Sequence, residues 1–372
     1  MVSKMSRART FADLATASEA GSVSKRNILV NGNMQVNQRE TSKTAVPSHS
    51  TNYYPVIDQI AVESNNSAGR LTMSQADVTD LAGFTKAMKL DCTTADTSIA
   101  ADEYFLFEKR IEGQDLQSLG HGTSDAKPVT ISFYVKGTAK TYMCELQNYD
   151  ASKISSNQFA VTTSWNRISI TVPANTANAI SNDNDQGFWL NFWIHAGSTF
   201  TGGTYSANAW QSLVNNKRAS GIGSFFSSTD NELFITGLQM EVGEVATPFE
   251  HETFEANLAR CQRYFYAPVP KGSASSYFAS GWYYSSSLMV GFLYHPVEMR
   301  AVPTLTSSDG TNDFQFIRSG AGDYFNDVGL NTASTKVSTV LNNTDVSGTA
   351  GDSGGLYIID TTNAFIYLSA EL

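Results

Sequence analysis

The feature that most limits what this chain can fold into is an alternation of apolar and polar residues with a period of two. In TISFYVKG (130–137), Ile131, Phe133 and Val135 point one way, and Thr130, Ser132, Tyr134 and Lys136 point the other. NRISITVP (166–173) sends Ile168, Ile170 and Val172 inward and stops at Pro173. WLNFWIHAG (189–197) puts Leu190, Phe192 and Ile194 on one face. FITGLQMEVG (234–243) groups Phe234, Leu238 and Met240, with Thr236 between them. EYFLFEKRIEG (103–113) is a further strand whose two faces are both partly apolar. Successive side chains of a strand point to opposite faces, so such segments are half-buried strands. Only 16% of the residues are charged, and Ser, Thr, Asn and Gly fill the joints between segments. The combination predicts an antiparallel β-sandwich from residue 27 to 250.

The period then changes. In HETFEANLARCQRYFY (251–266), Phe254, Leu258, Cys261 and Phe265 fall at helical spacing. Glu252 and Glu255 near its start, and Arg260 and Arg263 near its end, suit the helix dipole. A linking helix over 251–267 follows, with its stripe packed on the neighbouring sandwich. Residues 268–372 read as a second β-rich unit. SYFASGWYYSSSLMVGFLYH (276–295) gives two strands around a serine turn, and AFIYLSAEL (364–372) a last strand. Before all of this, residues 7–19 make a short helix with Phe11, Leu14 and Ala15 on one side. It is too short to be stable alone, so residues 1–26 are expected to act as an anchor segment. The expected fold is mainly β: two antiparallel, jelly-roll-like β-sandwich units with a short N-terminal helix and a short linking helix.

Composition removes several functions. Net charge is −10 without a basic run, which disfavours a nucleic-acid partner. No window reaches the roughly 18 apolar residues of a membrane span, and the first residues lack the apolar run of a signal peptide. Cys92, Cys144 and Cys261 are odd in number and far apart, so they are expected to stay reduced as small apolar residues.

GDSGG (351–355) has the letters that surround the nucleophile of trypsin-like proteases. Such a serine needs a histidine base and an orienting aspartate. None of His49, His121, His195, His251 and His295 has the sequence context of that base, and only two strands' worth of chain follow Ser353. Ser353 is therefore expected to be unreactive, in a turn where Gly351, Gly354 and Gly355 allow positive φ. In SNDNDQG (181–187), Asp183 and Asp185 alternate as calcium ligands do. The twelfth position is Ile194, which rules out an EF-hand. The loop is read as solvated, with no cofactor, and a structural calcium there is the only metal the sequence suggests. Glu108, Lys109, Arg110 and Glu112 read as a solvated charge cluster. Carboxylates far apart in sequence leave glycoside cleavage open.

With Leu190, Phe192 and Ile194 inward, Trp189, Asn191, Trp193 and His195 share the other face. Three readings compete for it: a sugar platform, a subunit interface, or cover by a loop. His195 by itself reads as a hydrogen-bonded structural residue. In SGWYYSSS, Trp282 and Tyr284 share one face and Tyr283 takes the other; contact with a glycan or subunit competes there with ordinary packing.

KRNILVNGNMQVNQRE (25–40) resembles the opening of bacteriophage tail-fibre-like virion proteins with a carbohydrate-binding-like β-sandwich. The matching positions are Asn27, Asn31, Gly32, Met34, Val36, Gln38 and Arg39, with Tyr54 and Asp58 following. The chain departs from the pattern at Gln59 and Ile60, where those proteins carry Arg and Trp. KRIEGQ (109–114), TISFYVKG, Trp165 with Arg167, TGLQMEVGEVATPFE (236–250), CQRYFY (261–266) and HPVEMRAVPTL (295–305) extend the resemblance over nearly the whole chain. The leader SRARTFADLA (6–15) is similar to segments of marine and cyanobacterial phage proteins. The resemblance implies a non-enzymatic virion appendage, assembled in the host cytoplasm, that contacts host surface polysaccharide. It implies a homotrimer joined to other tail or capsid proteins through Arg7, Arg9, Phe11 and Leu14. Two alternatives stay open: a purely structural tail or capsid component, and a polysaccharide depolymerase. The long parallel β-helix usual in the latter would show as short repeated coils, and the sequence has none.

Overall fold

The computed structural model of the chain describes residues 25–48 and 53–372. The expected helix over 7–19, with Arg7, Arg9, Phe11 and Leu14, lies outside these residues. The described chain is mainly β and divides into two compact units. The first comprises residues 25–35, Ser42–Glu252 and Leu372; the second comprises Val36–Thr41 and Thr253–Glu371.

The first unit contains β1 (Ser42–Val46), β2 (Ala61–Asn65), β3 (Arg70–Asp77), β4 (Lys86–Thr94), β5 (Tyr104–Glu112) and β6 (Val129–Gly137). It continues with β7 (Lys140–Asn148), β8 (Lys153–Val161), β9 (Asn166–Val172), β10 (Gln186–Ala196), β11 (Gln211–Ser212) and β12 (Glu232–Val242). One six-stranded sheet has the order β1-β3-β4-β12-β6-β9, and the other β11-β8-β7-β10-β5-β2. All pairings are antiparallel. The two sheets share one core. Phe107 and Phe192 stack at 4.7 Å within one sheet, and Phe133 of the other meets Phe192 edge-on at 5.2 Å. Ile131, Phe133, Val135, Leu190, Phe192 and Ile194 are all fully buried, as the alternation requires.

The alternation fails where the ladder slips. Gly237 adopts φ +62°, and the β12–β6 register shifts between Thr236 and Gln239. One extra residue there flips the parity. Leu233 and Ile235 before the bulge, and Leu238 and Met240 after it, all reach the core. Phe234, expected inside, lies on the other face, with Lys89 and Lys136 over its ring at 5.4 and 5.0 Å.

The supposed solvated cluster on β5 is also corrected. Glu108, Lys109 and Glu112 are buried. Lys109 Nζ donates to the carbonyls of Val30 and Gln59, Arg110 pairs with Glu108 at 2.7 Å, and Gln114 donates to Glu112. β5 lies between β10 and β2 and is covered on both faces, so its polar side chains are satisfied inside the protein.

The first unit also has a one-turn helix α1 (Ser198–Thr201); the second starts with α2 (Phe254–Gln262). Thr253 Oγ caps α2 by accepting from the Ala256 amide, with Glu255 in its first turn and Arg260 in its last. The expected stripe is rotated. Asn257 and Cys261 are the buried residues of α2, whereas Phe254 is 50% exposed. Phe265 is not helical, because the chain has already turned into a strand.

That strand is β13 (Phe265–Val269), followed by β14 (Tyr277–Ser285), β15 (Leu288–Tyr294), β16 (Thr304–Ser307), β17 (Phe314–Arg318) and β18 (Ala321–Phe325). β19 (Gly329–Ala333), β20 (Val337–Asn342), β21 (Ser353–Ile358) and β22 (Ile366–Ser369) complete the unit. A seven-stranded sheet, β18-β17-β21-β14-β15-β20-β19, and a three-stranded sheet, β13-β22-β16, enclose Tyr283, Leu293, Phe314, Phe316, Leu356 and Ile366. Residues 36–41 belong to this unit. Gln38 Nε2 donates to the Phe265 carbonyl at 2.6 Å, and the Arg39 guanidinium lies 3.4 Å from the Phe265 ring centre.

GDSGG is a turn only at its start. Gly351 has φ +92°, but Ser353 opens β21 and pairs with Trp282. Gly354 and Gly355 are extended; a Cβ on Gly354 would lie 2.2 Å from the Ile317 carbonyl, and one on Gly355 2.5 Å from the Tyr277 ring. Close approach, not positive φ, is what requires glycine there.

Candidate functional site

Two faces carry the aromatic residues singled out from the sequence. The first is the side of β10 away from the core. β10 is central, between β7 and β5, and its Asn191 and Trp193 are 0% and 1% exposed; His195, also 0% exposed, leaves this face because the ladder slips after Trp193 and sets it opposite the core residue Phe105. Asn191 and Trp193 do not form an open platform. The chain that follows β10 covers them: Phe200 packs on Trp193 at 5.3 Å, with Tyr104 at 5.4 Å. Beneath this cover Glu145 is a polar hub. Its carboxylate accepts from Asn191 Nδ2 at 2.9 Å, Trp193 Nε1 at 3.2 Å and Arg218 Nη2 at 2.8 Å. The Arg218 guanidinium also lies 4.7 Å from the Trp193 ring centre. The Trp193 indole and the Asn191 amide are costly to leave on bare sheet, and here the protein's own loop removes that cost.

Trp189 stands apart from the other three. It is half-buried, stacks on Tyr149 at 4.9 Å, carries Arg110 over its ring at 4.4 Å and donates to Gln186 at 2.9 Å. Asp183 and Asp185 lie on an exposed loop, where Asp183 Oδ1 accepts from the Asp185 amide. Among the described residues neither belongs to a cluster of metal-ligating side chains.

The second face is the side of the seven-stranded sheet away from the core. Tyr283 and Leu293 point inward, at 0% and 2% exposure, so their neighbours in β14 and β15 point outward. Register then assembles a surface. Across one row lie Ser353, Trp282, Val290 and Leu341; across the next lie Gly355, Ser280, Phe292 and Thr339. Tyr294, opposite Val337, extends the second. Trp282 and Phe292 are 5.3 Å apart, and Phe292 and Tyr294 6.3 Å, with interplanar angles of 40° and 35°. Tyr294 is 72% exposed and Phe292 36%, while Trp282 is half-buried. Tyr284, at 69%, also points away from the core.

Three neighbouring rings, with Ser280, Ser353 and Thr339 in the same rows, can do one kind of chemistry well. The ring faces take C–H surfaces and the hydroxyls exchange hydrogen bonds with polar groups at the edges. Trp282 and Tyr284 were legible in the sequence. Phe292 and Tyr294 were missed, although the alternation Phe292-Leu293-Tyr294 carries the signal. Ser353 was considered only as a nucleophile, and its place beside Trp282 depends on strand pairing that the sequence does not display.

No family model matches the chain, and no curated protein does. Among solved structures, the chain is similar to the enzymatically active domain of bacteriophage CBA120 tailspike protein 4, at 9% identity and TM-score 0.30, covering 58% of this chain and 21% of that one. The chain thus spans about a fifth of the length of that tailspike domain. It is similar to a family 4 carbohydrate-binding module at 12% identity and TM-score 0.28, covering 57% and 97% of the two chains. It is also similar to TmCBM61, solved in complex with β-1,4-galactotriose, at 10% identity and TM-score 0.29, covering 59% and 99%. Among the described residues no helix is long and apolar enough to cross a membrane.

Proposed function

We propose that this chain is a non-enzymatic, glycan-contacting component of a phage virion appendage, with the face of Trp282, Phe292 and Tyr294 as its contact surface. The observation that carries the reading is the exposed aromatic row with hydroxyls at its edge. Pyranose rings present just such a combination of C–H faces and equatorial hydroxyls. A row of rings about 5–6 Å apart suits an extended chain of sugars better than a single one. The virion setting rests on the motif resemblance from KRNILVNG to HPVEMRAVPTL. In this reading the appendage is a homotrimer, held to the particle through the residues before Lys25, and it binds host surface polysaccharide without cleaving it.

The test is affinity electrophoresis of the full chain through gels containing host-envelope polysaccharide. Retardation that disappears in Trp282→Ala with Tyr294→Ala, with the far-UV spectrum unchanged, is the expected result. Shortening of the polysaccharide on incubation would make the protein a depolymerase. Unchanged migration of the wild type in every host polysaccharide tried, with the double variant running as a smaller oligomer, would make the face a subunit seam in a purely structural component.

A further inference from the structure

In the first unit, three buried side chains far apart in sequence meet. Asp96 lies just after β4, Glu103 just before β5, and His195 near the end of β10. One ligand atom from each lies within 4.8 Å of the other two. They are 5%, 4% and 0% exposed.

The carboxylates are held by the backbone. Asp96 Oδ2 and Glu103 Oε1 both accept from the Ala68 amide, at 3.1 and 3.3 Å. Asp96 Oδ1 accepts from Ser98, and Glu103 Oε2 from Ala100. A carboxylate has about four lone-pair sites, so each of these oxygens keeps one to spare. His195 enters from the other side. The β10–β5 ladder slips between Trp193 and His195, which re-aims the ring. Its Nδ1 is 2.8 Å from Ser224 Oγ, which also accepts from the Phe226 amide. In the tautomer that donates Nδ1–H to that oxygen, Nε2 is the basic nitrogen. Nε2 is buried and makes no hydrogen bond.

We propose that Asp96, Glu103 and His195 form a zinc site that fastens the 95–103 connection to β10. Three facts converge on a cation. Two carboxylates this close and this buried repel unless something positive lies between them. A divalent ion cancels their combined charge, whereas one shared proton leaves a net negative charge in the interior. An imidazole with one ring nitrogen within 4.8 Å of both carboxylates, and with its Nε2 buried and unbonded, supplies the ligand that a proton does not need. Ser224 Oγ, at 2.8 Å from Nδ1, fixes the ring's orientation from its other nitrogen, the role that outer hydrogen-bond partners play at metal centres.

The donor set selects the ion. Calcium takes about 6–8 oxygens, and this cage offers two carboxylates already engaged with four amide contacts. One imidazole nitrogen with two carboxylates suits zinc.

The full chain, stripped with chelator and dialysed, is titrated with zinc, calcium and cobalt(II). One zinc per chain should bind, with a rise in Tm that calcium does not reproduce. Cobalt should give visible d–d absorption that zinc abolishes and excess calcium leaves unchanged. Ser224→Ala should weaken zinc binding about 10- to 100-fold by freeing the ring, and His195→Gln should weaken it further. Should His195→Gln fail to fold, the cobalt-loaded wild type still decides, because a hyperfine-shifted, exchangeable imidazole proton must appear in its NMR spectrum. Absence of stoichiometric zinc, a cobalt spectrum without that proton, or zinc affinity unchanged in Ser224→Ala would each overturn the assignment.

Discussion

Arg218→Ala tests the structure where its polar interior is densest. The guanidinium delivers Nε and Nη2 to the Glu145 carboxylate at 3.1 and 2.8 Å, and Nη2 also reaches Gln147 at 3.1 Å. Glu145 is wholly buried, and the Arg218 side chain is 15% exposed. Truncating one partner of a buried pair costs about 3–5 kcal/mol, because the other charge is left behind. Here Asn191 and Trp193 still donate to Glu145, which places the loss near the lower end, about 3 kcal/mol. For a unit of this size that corresponds to a fall in Tm of roughly 6–12 °C. Calorimetry of the wild type, Arg218→Ala, Glu145→Gln and Arg218→Ala with Glu145→Gln measures it as a double-mutant cycle. The double variant, with no charge left inside, should recover at least half of the single loss. Acrylamide quenching of Trp193 adds a second reading, since a weakened cover exposes the indole. A fall of less than about 2 °C, or a double variant as unstable as the two losses added, would show that the pair is not the clasp described here.

Phe192→Ala should cost about 3–5 kcal/mol by chemical denaturation, because that ring contacts the cores of both sheets. Gly237→Ala should lower stability by about 1–2 kcal/mol in the same assay, since φ +62° strains any residue with a Cβ and the Phe84 and Tyr134 rings lie 2.8 and 2.9 Å from where that atom would be. Burial, reinforced by the hydrogen bond to Asp323, pushes the Tyr283 hydroxyl up to about 12. Its contribution is therefore complete below the unfolded tyrosine value of about 10 and is lost as pH rises through 12; alkaline melts of Tyr283→Phe should lack that slope. Ser353→Ala should leave fluorophosphonate labelling unchanged at background and weaken polysaccharide retardation by a few-fold, as expected for one hydrogen bond of about 0.5–1 kcal/mol.

What the sequence displayed and what it hid follow from range. Ile131, Phe133 and Val135, like Leu190, Phe192 and Ile194, were legible because alternation is local and burial enforces it. The parity of Phe234 was not, because a single bulged residue at Gly237 resets the count without changing composition. Lys109 looked solvent-bound because its two carbonyl partners, on Val30 and Gln59, are 79 and 50 residues away. The helical stripe of α2 misled because Phe265 lies past the helix end, in β13. Of the candidate contact residues, Trp282 and Tyr284 were found by alternation. Asn191 and Trp193 were placed on the right face, but the segment that covers it carries no periodic signature; His195 was not, because the slip after Trp193 resets the count. Asp96, Glu103 and His195 converge only in three dimensions, and no spacing rule joins them.

The membership of residues 36–41 in the second unit has a consequence for how this protein can be cut and recombined. A fragment beginning at Thr253 holds every strand of that unit yet lacks Gln38 and Arg39. Phe265 then loses the guanidinium from its ring face, its carbonyl loses the Gln38 amide, and Glu371 loses the Arg39 ion pair at 3.0 Å. The second unit is therefore not an exchangeable cassette. Grafting its aromatic face onto another scaffold requires carrying the six-residue strip along, spliced ahead of α2 or supplied as a separate peptide.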